Sequence, residues 1–509
     1  MSRESKTVRL GANDSVAVAI TDIAAGDEIG GGLIALTDIP SGHKVAVTAI
    51  GAGDTVLKYG QAIGIATTGI PEGAHVHSHN LSMGGDAPGF PLSQRASRAP
   101  ESSSPSQASQ EPAHFLGYRR DGGRAGTRNH IGVIASVNCS ATVVHEIVQR
   151  ATRQLLPEFN NIDGIVPIAH QSGCGIARND QGYAVLQRTM RGFQEHPNFG
   201  GVLVIGLGCE VMNAAEFLPT HRDPRRYRRF DIQSAGGTSA AIEEGLRQLR
   251  SLMEIANNDR REPVAVGELT VGLQCGGSDG LSGITANPAM GKAVDLLVSL
   301  GGTALLSETP ELFGAEHLLL SRARTPEVAA ALRAKIAWWV DYAQRHGIEL
   351  DNNPSPGNKQ GGLTTVLEKS LGAVAKGGQT ALHDVIDYAQ PTRHRGLVFM
   401  DSPGFDPCSA TGQVASGANL LLFSTGRGSC FGCKPAPSIK LSSNSEIYRR
   451  MSTDIDLDCG RIVAGASLSA VGREIFDLAL AVASGQKTKS ETLGYGDHEF
   501  VPWRLGAVL

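Results

Sequence analysis

The apolar and polar positions divide the chain into two regimes. Over residues 1–92, short runs such as SVAVAITDI, KVAVTAI and TVLKYGQAIGIAT are broken by AAGDEIG, PSGHK and GAGD. Short β-branched runs between glycine-rich turns predict a small all-β domain. From residue 115 the pattern changes. Continuous apolar runs appear at HIGVIAS (130–136), GIVPIAH (164–170), VLVIGLG (202–208), LTVGLQ (269–274), GTALLSE (302–308), GLVFMD (396–401) and NLLLFST (419–425). Between them lie helical stretches such as TVVHEIVQRATRQLL and EVAAALRAKIAWWVDYAQRHG. Strands buried on both faces read as unbroken apolar runs. Their alternation with helices predicts an α/β body over 115–509, a mainly parallel sheet with helices on both faces.

The stretch between the two regimes, residues 93–114, is rich in Ser, Pro, Gln and Ala and nearly free of large apolar side chains. That composition predicts a disordered linker, whose reach as a flexible chain would be roughly 25 Å. The small domain is thus tethered with room to dock on the body. At 509 residues, two or three domains are expected. A net charge of −4 carries no basic excess for a nucleic-acid partner. No run of 18 apolar residues predicts a membrane span. The start, MSRESKTVRL, has no apolar h-region, so no secretory signal is expected. Eight cysteines in such a chain predict a reducing cytoplasm, where thiols bind metal, react or lie buried rather than pair.

The chemistry-bearing residues follow the predicted strands. Cys139 comes after IGVIAS, His170 and Cys174 close GIVPIAHQSGCG, and Cys209 and Glu210 follow VLVIGLG. Cys275, Ser278 and Asp279 lie in CGGSDG, Glu308 and Glu311 in SETPE, and Arg427 in STGRG. Open α/β sheets bind ligands beyond the carboxyl ends of their strands, so parallel strands would gather these groups on one rim. A strand-end cysteine can equally be a small buried filler. Cys139, Cys174, Cys209 and Cys275 with Glu308 nevertheless suggest a metal site, since thiolates suit iron, zinc or an iron–sulfur cluster. Spacing alone leaves open a three-thiolate cluster or a mononuclear Fe(II) held by His170, Glu308 and one or two cysteines. Cys430 and Cys433 form a CxxC without a second pair, a weak metal signal. In DNNPSPGNKQGGLTT, Asn358, Lys359 and glycine N–H groups could hold an anion, as could the guanidinium fork of Arg427. No P-loop or GxGxxG fingerprint is present, so no nucleotide is expected. EGAHVHSHNL places His75, His77 and His79 on alternate positions, one face of a strand, with Asn80 beside them.

Together these motifs resemble the altronate/galactarate dehydratase family nearly end to end. The N-terminal part is similar to its β-clip (SAF) domain in GHK (42–44), KYG (58–60) and HVHSHN (75–80). The body is similar in GYRRDGGRAGTRN, HQSGCG, HPNFGGVLVIGLGCE, CGGSDGLSGITANPAMG, SETPELFGAEHLL, NPSPGNKQGGLTTVLEKSLG and STGRG. The resemblance implies a Rossmann-like catalytic domain with a middle segment used in homodimerisation. It also implies a cytoplasmic hydro-lyase that needs Fe(II), mononuclear or in a cluster, and acts on a small-molecule sugar acid. HVHxHN marks the altronate type, which favours D-altronate over galactarate. Relatives with the same motif cleave sulfite from 3-sulfolactate, normally as two separate chains. Cys430 and Cys433 depart from the TPYG-like turn usual in the family.

Such a reaction takes a proton from C2, α to a carboxylate, and expels the C3 hydroxyl. A Lewis-acid cation offsets the charge that builds up beside the carboxylate. The expected catalytic groups are His75, His77, His170 and Lys359. His79, Asn80, Ser278, Asp279, Asn358 and Arg427 are expected to bind substrate, and Cys139, Cys174, Cys209, Cys275 and Glu308 to bind metal. The expectation from another class is a non-catalytic protein that binds iron or a sugar acid.

Overall fold

The computed structural model describes residues 6–83, 113–213 and 223–506. It shows a small β domain followed by an α/β body, as the two regimes of apolar patterning predict. The linker expected over 93–114 lies outside the described residues except at its end, where His114 already opens the strand His114–Arg119.

The β domain is built from short antiparallel strands. One sheet runs in the order Thr7–Val8, Val16–Ala19, Lys44–Ala46 and His75–Val76. A second holds Thr55–Lys58, Gln61–Ala66 and Leu81–Ser82.

In the body the apolar runs do form parallel strands, but they divide between two sheets. The first has the order Gly164–Ile168, His130–Ala135, Phe199–Gly206, Tyr227–Asp231. The second has the order Leu382–Ile386, Gly396–Met400, Thr303–Leu306, Thr270–Cys275, Leu420–Thr425, Ser438–Ser442, Leu457–Asp458. All neighbours in both sheets are parallel. The division has a local cause. After the helix Thr238–Ala256 the chain pairs antiparallel with His114–Arg119 through Glu262–Ala265, and only then starts the second sheet at Thr270.

The two sheets share one apolar cluster. Ile134, Val166 and Ile168 of the first meet Val398, Met400 and Phe423 of the second, with side chains of the helices Gln181–Gln194 and Asp406–Ala415. Those helices touch at Gly192, where a Cβ would lie 2.2 Å from the Ala415 carbonyl oxygen. A further cluster joins the β domain to the body, with Val56, Ile63 and Val76 packed among residues such as Leu312, Leu371 and Val374. Among the described residues no helix is long and apolar enough to cross a membrane.

Candidate functional site

In the seven-stranded sheet, Thr270–Cys275 lies beside Leu420–Thr425, with Cys275 opposite Ser424. The chain proceeds from the first strand to one side of the sheet and from the second to the other. Such a switch point opens a crevice beyond the carboxyl ends. CGGSDG and STGRG flank it, tied together where Gly426 and Arg427 N–H groups donate to the Gly277 carbonyl (3.1 and 2.9 Å). Asp279 organises this rim. Its Oδ1 accepts from Ser282 N (2.8 Å), Ser282 Oγ (2.8 Å) and Ser443 Oγ (2.7 Å), and its Oδ2 from Asn444 Nδ2 (2.9 Å). Asn358 is similarly engaged, donating to the Ser278 carbonyl (2.8 Å) and accepting from Ser355 N (3.0 Å). Capacity for a ligand remains elsewhere. Ser278 Oγ is buried without a partner among the described residues, and Arg427 is exposed, donating to Gln360 Oε1 (2.8 Å). Lys359 is half-buried on the short helix Pro356–Gln360.

The β domain docks on this rim. Gly280 and Gly362 face the Gly42 carbonyl oxygen so closely that a Cβ on either would fall 1.9 or 2.3 Å from it. Only a residue without a side chain permits that approach. The docking places His43 beside the loop 355–362, its Nε2 3.0 Å from the Gln360 carbonyl oxygen. A carbonyl can only accept, so Nε2 carries the proton and Nδ1 the lone pair. Nδ1 lies 3.0 Å from His75 Nε2. His77 completes the group, its ring centroid 4.7 Å from that of His43 and 5.5 Å from that of His75, and the His79 ring is 5.4 Å from that of His75.

The alternating histidines do not form one long strand. Pairing covers only His75–Val76, where Val45 faces His75. The Asn80 side chain then turns the chain, accepting from His77 N (2.9 Å) and donating to the His75 carbonyl (2.9 Å). That turn folds His77 and His79 back onto the cluster. Burial lowers the pKa of His43, of His75 to about 4 and of His77 to about 3. The imidazoles are therefore neutral near pH 7, and His77 Nδ1 is buried without a partner among the described residues.

An ionic triad locks the same interface. Lys44 and Lys58 from the β domain reach Glu368 of the body (2.8 Å each), all three side chains essentially inaccessible. Glu368 Oε2 also accepts from Thr364 Oγ1 (2.7 Å). Burial draws the Lys44 ammonium down to about 8 against the pull of Glu368. Burial also pushes Glu368 up, but the two lysines outweigh it and hold the carboxyl below its usual range.

Beneath the rim lies a second cluster. Lys376 Nζ donates to Cys275 Sγ (3.1 Å) and pairs with Glu308 Oε2 (3.3 Å), while Lys369 Nζ pairs with Glu311 Oε1 (2.7 Å). Burial pushes the Cys275 thiol up to about 11, so it is neutral, and raises Glu308 well above its ordinary range. Glu308 adopts a left-handed backbone (φ 74°, ψ 69°), and its Oε1 has no partner among the described residues.

Cys139, Cys174 and Cys209 are on the other sheet. All three are exposed, on the loops that follow His130–Ala135, Gly164–Ile168 and Phe199–Gly206. The strand order places a switch point here as well, between His130–Ala135 and Phe199–Gly206. The loops are joined by Asn138 N to the Ser172 carbonyl (2.9 Å) and Met212 N to the Gly173 carbonyl (3.1 Å). His170 is buried at this rim. Its Nδ1 accepts from Ser172 N (3.2 Å), its Nε2 has no partner among the described residues, and burial lowers its pKa to about 4. The expected metal ligands therefore form two groups, Cys139, Cys174 and Cys209 on one sheet, Cys275 and Glu308 on the other.

Among the described residues two triads place their ligand atoms all within 4.8 Å of one another: His43, His75 and His77, and Cys275, Glu308 and Glu311. They differ in fit. Neutral imidazoles suit Fe(II), and His43 shows the usual support of a ligating histidine, one ring nitrogen donating to a carbonyl and the other presenting its lone pair to His75 within the cluster. The second triad already holds two ammonium groups, Lys369 and Lys376, which would repel a dication. His43, Lys369 and Lys376 are functional candidates that the strand-end pattern did not single out, although His43 lies in the GHK segment; Glu311, which that pattern did mark, joins them here.

Three family models cover most of the chain: "Altronate/galactarate dehydratase SAF domain" over residues 5–84, "D-galactarate dehydratase/Altronate hydrolase, second domain" over 117–257, and "D-galactarate/Altronate dehydratase, C-terminal" over 266–508. Similar curated proteins include the altronate dehydratase of Escherichia coli (strain K12), 36% identical over 95% of this chain and 96% of its own. The altronate dehydratase of Bacillus subtilis (strain 168) is 34% identical over 95% and 96%. The galactarate dehydratase (L-threo-forming) of Escherichia coli (strain K12) is 37% identical over 93% and 92%.

Proposed function

This chain belongs to the D-galactarate/altronate dehydratase family, a family of hydro-lyases, and from that premise we propose that it dehydrates D-altronate to a 2-keto-3-deoxy acid with the help of Fe(II). The observation that carries this reading is the cluster of His43, His75, His77 and His79, seated at the switch-point crevice against Gln360, whose side chain in turn accepts from Arg427.

The reaction needs a hold on the carboxylate, a proton acceptor at C2 and a proton donor at the C3 hydroxyl. Arg427, with its planar fork, and Lys359 supply the hold. Ser278 Oγ, buried and unpartnered, is available to a substrate hydroxyl. An imidazole of the cluster that iron leaves unbound can accept the C2 proton and return it to the departing hydroxyl. Asp279, Asn358 and Asn80 act one step back, keeping the rim and the histidine turn in shape. Fe(II) held by His43, His75 and His77 would supply Lewis-acid stabilisation of the charge that develops beside the carboxylate.

Identity does not separate the substrates, at 36% to an altronate dehydratase and 37% to a galactarate dehydratase. The HVHSHN stretch supports altronate. The exposed Cys139, Cys174 and Cys209 at the other switch point support a second reading, in which the iron sits in a sulfide cluster held there. A reducing cytoplasm and a homodimer belong to the same proposal.

The test is to load the protein anaerobically with Fe(II) and supply altronate, galactarate and 3-sulfolactate, following 2-keto acid and sulfite. Turnover confined to altronate is expected. Turnover of galactarate alone would remove HVHSHN as a specificity mark, and absence of turnover on all three would overturn the proposal. Counting iron and acid-labile sulfide on the same sample decides between imidazole-bound iron and a cluster.

A further inference from the structure

We propose that a cleft between the two halves of the body binds a small, multiply charged oxyanion, a phosphate-bearing or polycarboxylate metabolite. The cleft has a volume of about 360 Å³, a size suited to a small ligand. One wall is the carboxyl-terminal part of the helix Gln181–Gln194 with Arg124, Arg188 and Arg191. The other is the segment from Asp387 to Arg393 with the end of the helix Asp406–Ala415. None of these residues belongs to the site described above.

Four arginines line the space, against two acidic residues, Glu195 and Asp387. Asp387 is already paired with Lys335. Glu195 exerts its charge on Arg124, whose own pKa is lowered by burial. Arg188 is anchored by its Nε, which donates to the Tyr388 carbonyl (3.1 Å) across the cleft. No ion pair joins Arg188, Arg191 or Arg393 to a carboxylate among the described residues. Two helices end at this cleft, and their carboxyl termini carry partial negative charge that offsets repulsion among the cationic groups. That effect preserves the arrangement when the cleft is empty. It does not use up the planar forks, which suit phosphate and carboxylate oxygens. Because the arginines come from both walls, a bound anion would bridge the two halves of the body.

Isothermal titration at low ionic strength tests this with inorganic phosphate, pyrophosphate and citrate, using sodium chloride of matched ionic strength as control. Wild-type protein should bind one molecule per chain, pyrophosphate if the site is built for phosphates and citrate if it is built for carboxylates. The double variant Arg191→Ala/Arg393→Ala changes two exposed side chains, and its unliganded melting midpoint should match wild type. Its affinity should fall at least about tenfold, the usual range for losing charged hydrogen bonds. Arg191→Lys/Arg393→Lys, which keeps the charge but loses the fork, should fall between. No saturable binding of any of the three anions to wild type, or equal affinity in the alanine variant, would overturn the proposal.

Discussion

His43 Nε2 lies 3.0 Å from the backbone carbonyl oxygen of Gln360, across the boundary between the β domain and the body. The contact fixes the tautomer of the ring and turns the lone pair of Nδ1 toward His75 Nε2, 3.0 Å away. Replacing His43 by Ala removes a candidate ligand and, among the described residues, the one imidazole of the cluster that donates to a carbonyl of the body. Bound iron, measured anaerobically with a chromogenic chelator, should drop at least about 10- to 100-fold in affinity, and turnover should drop with it. A variant that keeps full iron and full rate would remove the imidazoles from the metal proposal.

The lowered pKa values of the cluster set a pH window. His75 falls from the ordinary 6.5 to about 4 and His77 to about 3, so the unfolded chain takes up protons at a pH where the folded protein still refuses them. The sign follows from linkage: stability present above pH 6.5 is lost as the pH falls toward 4. Metal held here competes with protons only near the folded values. Iron, or Co(II) as a spectroscopic stand-in, should stay bound down to about pH 5. Half-release near pH 6.5 would mean ordinary, solvated histidines.

Lys44, Lys58 and Glu368 form a buried triad with one net positive charge. Glu368→Gln leaves two ammonium groups without a counter-charge and should cost about 3–5 kcal/mol, most of it borne by the docking of the β domain. Limited proteolysis of the folded variant should then release an N-terminal fragment that wild type protects. An unchanged urea midpoint and unchanged protection would show that the apolar contacts hold the domain alone.

The α/β body was legible because strands buried on both faces are written as unbroken apolar runs, and seven such runs became parallel strands. Their division into two sheets was not legible, since it depends on which strands pair. It hinges on the antiparallel pairing of Glu262–Ala265 with His114–Arg119. His75, His77 and His79 were visible as a pattern. His43 was not, because its partnership arises from the pairing of Val45 with His75. Lys369 and Lys376 look like ordinary solvated helix lysines in LEKSLGAVAKGG, and only burial against Glu311 and Glu308 reveals them. Glu368 is hidden for the same reason, its partners lying more than three hundred residues earlier.

Thiol exposure separates the cysteines into two classes. Cys139, Cys174, Cys209 and Cys430 are exposed, whereas Cys275, Cys408, Cys433 and Cys459 are buried, each with its pKa pushed upward by burial. Iodoacetamide should alkylate the first four in the native, iron-free protein and the other four only after denaturation. Iron bound at the cysteine rim would protect Cys139, Cys174 and Cys209 while leaving Cys430 reactive. Peptide mass mapping with and without iron reads this directly. Equal labelling of all four in both samples would rule out the cluster reading.

Glu308 and Glu311 share one pocket but hold their protons differently. Burial raises Glu308 well above its usual range, which favours the protonated carboxyl against the pull of Lys376. Burial pushes Glu311 up too, but Lys369 and Lys376 outweigh it and keep the carboxylate charged. An amide imitates a protonated carboxyl and not a carboxylate. Glu308→Gln should therefore change the urea midpoint little, by the equivalent of about 1 kcal/mol or less, the worth of one ordinary hydrogen bond. Glu311→Gln strands the Lys369 ammonium in the interior and should cost about 3–5 kcal/mol. Glu308→Gly tests the backbone separately, because φ 74° is relaxed for glycine and strained for glutamate by about 1–2 kcal/mol. If Glu308→Gln proves as damaging as Glu311→Gln, Glu308 is charged in the folded protein. The strained, half-partnered carboxyl would then be a second anion facing Lys376 rather than a protonated, neutral group.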